Sequence, residues 1–160
     1  MMEVDALGWP AALVGELDHR RLKAPSVKLR SARPLAGGDA IYCVDLRVRR
    51  PNVEACLSAI ELHSLEHFLL EGLQRELPEH LVSVGVMGCQ TGFYLVFVDE
   101  GRAQTICAVL ARILEAMSHA TVVPYARIDQ CGHYRNHGLQ AAQAVAREIL
   151  ARRADWLDAA

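Results

Sequence analysis

The sequence predicts an α+β fold, in which helices pack on one face of a mostly antiparallel sheet. Strand-like and helix-like patterns occupy separate runs of the chain, as is typical of this class. Apolar residues in the second half repeat at intervals of three and four, the period of a buried helix face. The 160 residues suffice for a sizeable core. We therefore expect a single domain over residues 1–160.

Two strands come first, at residues 26–32 and 40–48, joined by a turn that contains proline and glycine. In a strand, side chains two residues apart point to the same face. Asp45 and Arg47 are therefore expected side by side on one face of the sheet.

A long helix and a second pair of strands follow. The helix is predicted over residues 51–77, from a Pro-Asn pair to the residue before a proline. Strands are predicted at residues 82–87 and 93–98. Two amphipathic helices, at residues 104–117 and 137–152, complete the chain.

The composition indicates a protein of a reducing compartment. No apolar run approaches the roughly 20 residues of a membrane span, and the N-terminal residues do not resemble a secretion signal. The formal net charge is −2 and the basic residues are scattered, which argues against a nucleic-acid-binding surface. Five cysteines without the spacing of a disulfide scaffold favour the cytoplasm. We expect neither a membrane nor a nucleic acid as a partner.

The most informative motif is His63-Ser64-Leu65-Glu66-His67, inside the predicted long helix. Histidines four residues apart stack on the same helix face, where one cation can bind both. H-x-x-E-H is also a known metal-site pattern. Because such pairs also occur by chance on exposed helices, a metal site requires further ligands.

The cysteines are the first candidates for those ligands. There is no C-x-x-C pair, which argues against a structural zinc knuckle. Cys89 and Cys131 lie in predicted loops beside glycines, which leave room for a close approach to a metal. Cys56 and Cys107 fall in predicted amphipathic helices, where we expect them in the core. Cys43 is expected to pack within a strand.

Several blocks of the chain together resemble S-ribosylhomocysteine lyase, the LuxS family. They occur in the family's order from about residue 14 to residue 152. The blocks are Glu16-Leu17-Asp18-His19 with Lys23-Ala24-Pro25, Asp45-Leu46-Arg47 with Pro51-Asn52, His63 to His67, Met87 to Gly92, and Gln130 to Gly132. The resemblance implies a carbon–sulfur lyase of the methionine cycle that takes part in autoinducer synthesis for quorum sensing.

In the resembling family, a metal and an acid–base pair carry the chemistry. The resemblance implies that His63, His67 and Cys131 bind one divalent metal per chain, iron(II) in the working enzyme and often zinc(II) or cobalt(II) in preparations. It also implies that Cys89 and Glu66 transfer protons. The residue types suit these roles, because a His₂Cys set leaves a fourth position open and a cysteine beside a cation ionises readily.

The implied reaction moves the carbonyl of an opened sugar from C1 to C2 and then to C3. β-Elimination then releases homocysteine and leaves 4,5-dihydroxy-2,3-pentanedione. The substrate is a small thioether sugar, and Arg47 and His19 are implied to line its sugar end. The family forms homodimers with shared active sites, in which His19 would act on the neighbouring subunit's site.

The residues expected to recognise the substrate depart from the family pattern. Leu70 and Gln74 lie two turns beyond the two motif histidines and should face the same cavity. The family usually has a small and a basic residue there. Ser83 begins a stretch that lacks the usual Asp-Ile-Ser-Pro, and Val14-Gly15 replaces the usual Ser-Phe. The usual substrate is therefore expected to bind poorly.

Three alternatives stay open, one of which is a metal-binding protein without catalytic activity. A divergent paralogue would perform the same isomerisation or elimination on another sugar-bearing substrate. A zinc hydrolase or peptidase would use Glu66 as the base for metal-bound water, but it would not need Cys89.

Two further histidines lie close to Cys131. His137 matches a histidine common at this place in the family, and we expect it to support the ligands or to cap the last helix. His133 is expected at the surface.

Overall fold

The sheet is built from two hairpins. The computed structural model describes residues 4–160 and contains strands β1 (Ser26–Pro34), β2 (Ala40–Arg47), β3 (Leu81–Val86) and β4 (Gly92–Val98). Their order is β1-β2-β4-β3, and every pair is antiparallel. The predicted antiparallel sheet is confirmed.

Three α-helices pack with this sheet: α1 (Ala59–Glu76), α2 (Ala103–Ser118) and α3 (Leu139–Ala151). A single cluster of buried apolar residues joins the sheet to all three helices. The α+β class is therefore confirmed. Within residues 4–160, no helix has both the length and the apolar character needed to cross a membrane.

The prediction for the start of the long helix is wrong. Asn52 has a φ of 59°, in the left-handed region, so the chain makes a turn there and cannot continue as a helix. Helix α1 begins only at Ala59, after a capping box in which the side chains of Ser58 and Glu61 bind each other's backbone N–H groups. A Pro-Asn pair thus marks a turn in this chain.

The later helix start changes the environment of Cys56, which is exposed and does not lie in the core as predicted. Its segment runs over the surface and is anchored by buried Leu57, whose N–H donates to the carbonyl of Gln90 at 2.9 Å. The Cys56 thiol lies 3.6 Å from the side-chain oxygen of Gln90. Cys56 is therefore a neighbour of the β3–β4 hairpin.

The other two thiols outside the site behave as expected. Cys107 packs against the core from α2, and burial raises its pKa to about 11. Cys43 is half-buried in β2, and burial raises its pKa as well. Both are protonated and poorly reactive at neutral pH.

The last helix begins two residues later than predicted, at Leu139. Gly138 is the residue before it and has extended backbone angles. A Cβ atom at Gly138 would lie 2.6 Å from the side chain of Ile60 on α1, so glycine lets the loop after α2 approach α1 closely. This contact places the end of that loop beside the histidines of α1.

Candidate functional site

Four side chains converge between α1 and the loop that joins α2 to α3. His63 and His67 come from α1, and Cys131 and His137 from the loop. One potential ligand atom from each of the four lies within 4.8 Å of the others. His67 is buried and the other three are half-buried. The sequence predicted three of these four residues as ligands.

The two α1 histidines are oriented by backbone carbonyl groups. The Nδ1 atom of His67 lies 2.7 Å from the carbonyl oxygen of Pro124, and that of His63 lies 3.0 Å from the carbonyl oxygen of Asn136. Because a carbonyl oxygen only accepts, the Nδ1 atom of His67 carries the hydrogen, and its Nε2 has a free lone pair. The Nδ1 atom of His63 also lies 3.2 Å from the side-chain amide nitrogen of Asn136. Metal-binding histidines are commonly held in this way.

Cys131 is held by a turn of the same loop, in which its N–H donates to the carbonyl of Arg127 at 2.9 Å. Its sulfur lies 3.4 Å from the Nε2 atom of His63 and accepts from the N–H of His133 at 3.4 Å. A backbone N–H donor stabilises a thiolate, which is the form of cysteine that binds metals. The side chain of His133 is exposed, as predicted.

His137 lies closer to the centre of the metal cluster than the sequence analysis predicted. Its Nε2 atom lies 3.7 Å from the sulfur of Cys131, and its Nδ1 atom lies 3.2 Å from the hydroxyl of Ser64. Burial, together with the nearby charges of His63 and His67, lowers the pKa of His137 to about 4. The ring is therefore neutral at physiological pH, as a ligand must be. Gly138, and not His137, occupies the cap position of α3.

The donor set fits a divalent transition metal. Imidazole nitrogen and thiolate sulfur are ligands for zinc, iron and cobalt, whereas calcium and magnesium prefer oxygen. Three ligands plus an open fourth position are typical of catalytic metal sites. In this cluster, His137 stands where a fourth ligand or a supporting hydrogen-bond partner would lie.

Cys89 lies elsewhere, at the tip of the β3–β4 hairpin. Its sulfur is 3.0 Å from the hydroxyl of Thr91 and 3.9 Å from the guanidinium of Arg47 on β2. Burial raises the pKa of Cys89, but hydrogen bonds from Thr91 and the charge of Arg47 lower it more, so the pKa is below its usual value. The thiol is exposed and can therefore act on a ligand.

Cys89 opens on a cavity of about 330 Å³ that is also lined by His19. Asn52, Cys56 and Thr91 contribute to the same wall. The structure thus brings together Arg47 and His19, predicted for the sugar end, and Cys89, predicted for proton transfer. His19 and Cys89 line the same cavity, and Arg47 lies beside Cys89 and Thr91.

A cluster of charges is buried behind this cavity. Asp45 is 3% exposed, and its carboxylate lies within 4 Å of three cations, those of Lys28, Arg30 and Arg47. Burial lowers the pKa of Lys28 and its attraction to Asp45 opposes this effect. Arg30 also pairs with Glu16 at 2.6 Å, so two carboxylates face three cationic side chains. The region is therefore electropositive, which favours an ionised thiol at Cys89.

The remaining predicted site residues are less closely connected. Glu66 is half-buried on α1, and within residues 4–160 no hydrogen bond or ion pair joins it to another side chain. Leu70 and Gln74 are exposed on the same helix, and Ser83 is exposed on β3. The cavity beside Cys89 is lined by other residues and not by these four.

Sequence reasoning missed two contributors. Thr91 lies two residues after Cys89, and this spacing in a hairpin could have indicated a contact. The carbonyl groups of Pro124 and Asn136 carry no side-chain signal, because any residue type supplies a backbone carbonyl.

Comparison with known proteins gives a consistent result. The family model for S-ribosylhomocysteinase (LuxS) matches residues 15–160. The chain is 39% identical over 142 residues to the S-ribosylhomocysteine lyase of Halobacillus halophilus, covering 89% of this chain and 92% of that protein. It is 40% identical over 140 residues to the Listeria monocytogenes protein of the same name, covering 88% and 89%. It is 41% identical to that of Dichelobacter nodosus over 140 residues, covering 88% and 90%.

Proposed function

The chain belongs to the S-ribosylhomocysteinase (LuxS) family, and on this premise we propose that it is a metal-dependent carbon–sulfur lyase that acts on S-ribosylhomocysteine. The products are homocysteine and 4,5-dihydroxy-2,3-pentanedione. One observation carries the proposal: a His–His–Cys cluster suited to a divalent metal and a thiol with a lowered pKa occur in the same chain.

His63, His67 and Cys131 would hold the metal, with His137 beside them. When bound, the metal would supply a Lewis acid for the sugar oxygens. We propose iron(II) as the metal in the cell; zinc(II) or cobalt(II) would suit the same donors.

Cys89 is proposed as the base of the carbonyl migrations. Its thiolate takes a proton from the carbon next to the carbonyl, and the resulting thiol returns that proton to the neighbouring carbon. In the last step, the thiolate of Cys89 takes the proton of C4, the carbon between the C3 carbonyl and C5, and the C5–S bond breaks. Homocysteine leaves as a thiolate and takes up a proton, and the enol that remains becomes the diketone when its hydroxyl proton is lost and C5 is protonated. The hydrogen bond from Thr91 and the charge of Arg47 keep Cys89 available as a thiolate for each proton removal.

Glu66 is proposed to move protons among the sugar oxygens during the same steps. It lies one residue before His67 on α1 and is half-buried. In the described part of the chain, no hydrogen bond or ion pair ties its carboxylate to another side chain. Arg47 and His19 would contact the sugar from the Cys89 side of the site, where His19 lines the cavity. A peptidase would not need Cys89, Arg47 or His19 for its reaction.

Two observations support a homodimer with shared sites. The metal cluster and the Cys89 cavity have no residue in common, so one molecule of substrate has to bridge two separate groups. Exposed apolar side chains accompany both groups, with Leu70, Val122 and Ile128 on the side of the metal cluster and Val86 beside the hairpin tip. A second copy of the chain could cover these side chains and bring Cys89 to the metal of its partner.

We also propose that the enzyme works in the cytoplasm, where five free cysteines remain reduced. The homocysteine would return to the methionine cycle, and the five-carbon product would serve autoinducer synthesis.

The proposed function is tested by identifying both products. Metal-loaded protein is incubated with S-ribosylhomocysteine without oxygen, and the dicarbonyl is trapped with an aromatic diamine for mass spectrometry. We expect homocysteine and the trapped five-carbon dicarbonyl in equal amounts. Formation of free ribose would indicate a hydrolase, and a lack of any product would contradict the proposal.

A further inference from the structure

Thr91 occupies a special place between Arg47 and Cys89. Its side chain is buried, with an exposed fraction of 5%, although it borders the cavity. Its hydroxyl oxygen lies 2.6 Å from the Nη1 atom of Arg47 and 3.0 Å from the sulfur of Cys89. The hydroxyl therefore contacts a permanent cation on one side and the reactive thiol on the other.

The chemistry of the three groups fixes the direction of these hydrogen bonds. A guanidinium has only donors, so the hydroxyl of Thr91 has to accept from Arg47. The single hydrogen of the hydroxyl then remains for its second neighbour, the sulfur of Cys89. Acceptance from a charged donor also strengthens the hydroxyl as a donor. The arrangement favours a sulfur that accepts, which is the thiolate.

We propose that Thr91 is a positioning residue that relays the charge of Arg47 to Cys89 and holds its sulfur as a thiolate directed at the cavity. Such a role rests on the proposed function, since the thiolate form matters only if Cys89 transfers protons. The backbone N–H groups of Thr91 and of Cys89 itself also stabilise the ionised sulfur, but replacement of the Thr91 side chain leaves both of them in the chain. The guanidinium itself is 3.9 Å away, which is long for a direct hydrogen bond.

Other charged and titratable groups face Cys89 as well. His19, Glu54 and Cys56 line the cavity, and Asp45 lies behind Arg47 on β2. These groups remain in the chain when Thr91 is replaced. A change in the reactivity of Cys89 in a Thr91 variant therefore measures the effect of the Thr91 hydroxyl. The backbone of Thr91 also stays the same, because its carbonyl accepts from the N–H groups of Val48 and Arg49 at 2.8 and 3.0 Å.

The experiment compares Thr91→Val, which removes the hydroxyl at nearly constant shape, with Thr91→Ser, which keeps it. The rate at which iodoacetamide modifies Cys89 is measured from pH 5 to pH 10 by peptide mass spectrometry on the metal-loaded protein. Cys56 is the matched control, because it is exposed on the same cavity and lacks a hydroxyl or guanidinium partner. Its rate in the same digest corrects for changes in folding or access.

We expect the Cys89 profile of Thr91→Val to move upward by about one pH unit, with about a tenfold lower rate near neutral pH. The Thr91→Ser profile should stay near that of the wild type, and the Cys56 profile should not move. An unchanged or lowered Cys89 profile in Thr91→Val would overturn the inference. If that variant does not fold, Thr91→Ala is measured with the same two outcomes.

These alkylation rates need no substrate, so they are separate from the proposed function. A wild-type protein that releases no homocysteine, yet has a Thr91-dependent Cys89 profile, would contradict the lyase assignment and leave the relay in place. Homocysteine release together with a Cys89 profile that is independent of Thr91 would do the reverse.

Discussion

The Nδ1 atom of His67 lies 2.7 Å from the carbonyl oxygen of Pro124, and this hydrogen bond joins α1 to the loop after α2. It fixes the imidazole so that Nε2 keeps its lone pair for a metal. Because the acceptor is a backbone atom, the orientation depends on the path of the loop and not on the side chain at that position. The same loop carries Cys131. The path of this loop therefore positions both the thiol of Cys131 and the carbonyl group that orients His67.

Removal of the thiol ligand should remove the metal. Cys131→Ala is expected to lower the metal content from about one ion per chain to near zero, because the only thiolate of the cluster is lost. The metal content of the dialysed protein is measured by elemental analysis. Cys56→Ala is the matched control and should keep the metal, since Cys56 is not part of the cluster. Stoichiometric metal in the Cys131 variant would show that the ligand set is wrong.

Gly72 should be important for the packing of α1 on α2. A Cβ atom at this position would lie 2.6 Å from the side chain of Ile113, well inside van der Waals contact. Gly72→Ala is therefore expected to lower the free energy of unfolding by about 1–3 kcal/mol through overpacking, despite a helix-propensity gain of up to about 1 kcal/mol.

Urea unfolding followed by circular dichroism tests this prediction, with Gly85→Ala as the control. Nothing lies within 4 Å of a Cβ atom at Gly85, so that variant should stay within about 0.5 kcal/mol of the wild type. Equal stabilities of the two variants would contradict the close approach of α1 and α2.

Shared active sites make a further prediction about mixtures. Cys89→Ala and Cys131→Ala should each be inactive alone, because each lacks one of the two groups. After unfolding and refolding together in the presence of metal, about half of the dimers should be mixed, with one intact site each, and about a quarter of wild-type activity should return. If the mixture stays inactive while a wild-type control regains activity, each site would lie within one chain.

Much of the fold followed from periodicity. Both ends of all four strands lie within two residues of their predicted positions, because alternation and turn residues are local signals. The start of α1 was not, since the left-handed conformation of Asn52 and the anchoring of Leu57 on Gln90 depend on a distant hairpin. The core position predicted for Cys56 failed for the same reason.

The site was predictable to the extent that side-chain type determines it. The H-x-x-E-H motif and the family resemblance identified His63, His67 and Cys131, which the structure brings together. His137 was given only a supporting or capping role, because its position depends on the loop that Gly138 allows to approach α1. The relation between Thr91, Arg47 and Cys89 crosses from β2 to the hairpin, and strand pairing of that kind is not readable from one sequence.

The altered recognition residues predict weak binding of the usual substrate. Leu70, Gln74 and Ser83 are exposed and carry no charge, so they offer no ionic partner to the amino-acid end of S-ribosylhomocysteine. Loss of such a partner typically costs about 1.5–3 kcal/mol. We expect a raised KM with a less affected kcat, measured by thiol release over a range of substrate concentrations. A KM in the ordinary micromolar range would defeat this prediction and leave the lyase assignment standing, whereas a low kcat with an ordinary KM would indicate a fault in proton transfer.

The most direct test of the proposed mechanism separates metal binding from proton transfer by measuring both on the same preparations. Wild-type protein and Cys89→Ala are loaded with the same metal, and metal content, circular dichroism and homocysteine release from S-ribosylhomocysteine are measured on each, with protein thiols subtracted as a blank. We predict equal metal content and the same fold, with homocysteine release lost only in the Cys89 variant. Loss of metal together with activity would make Cys89 a ligand, and undiminished release would contradict its role as the base.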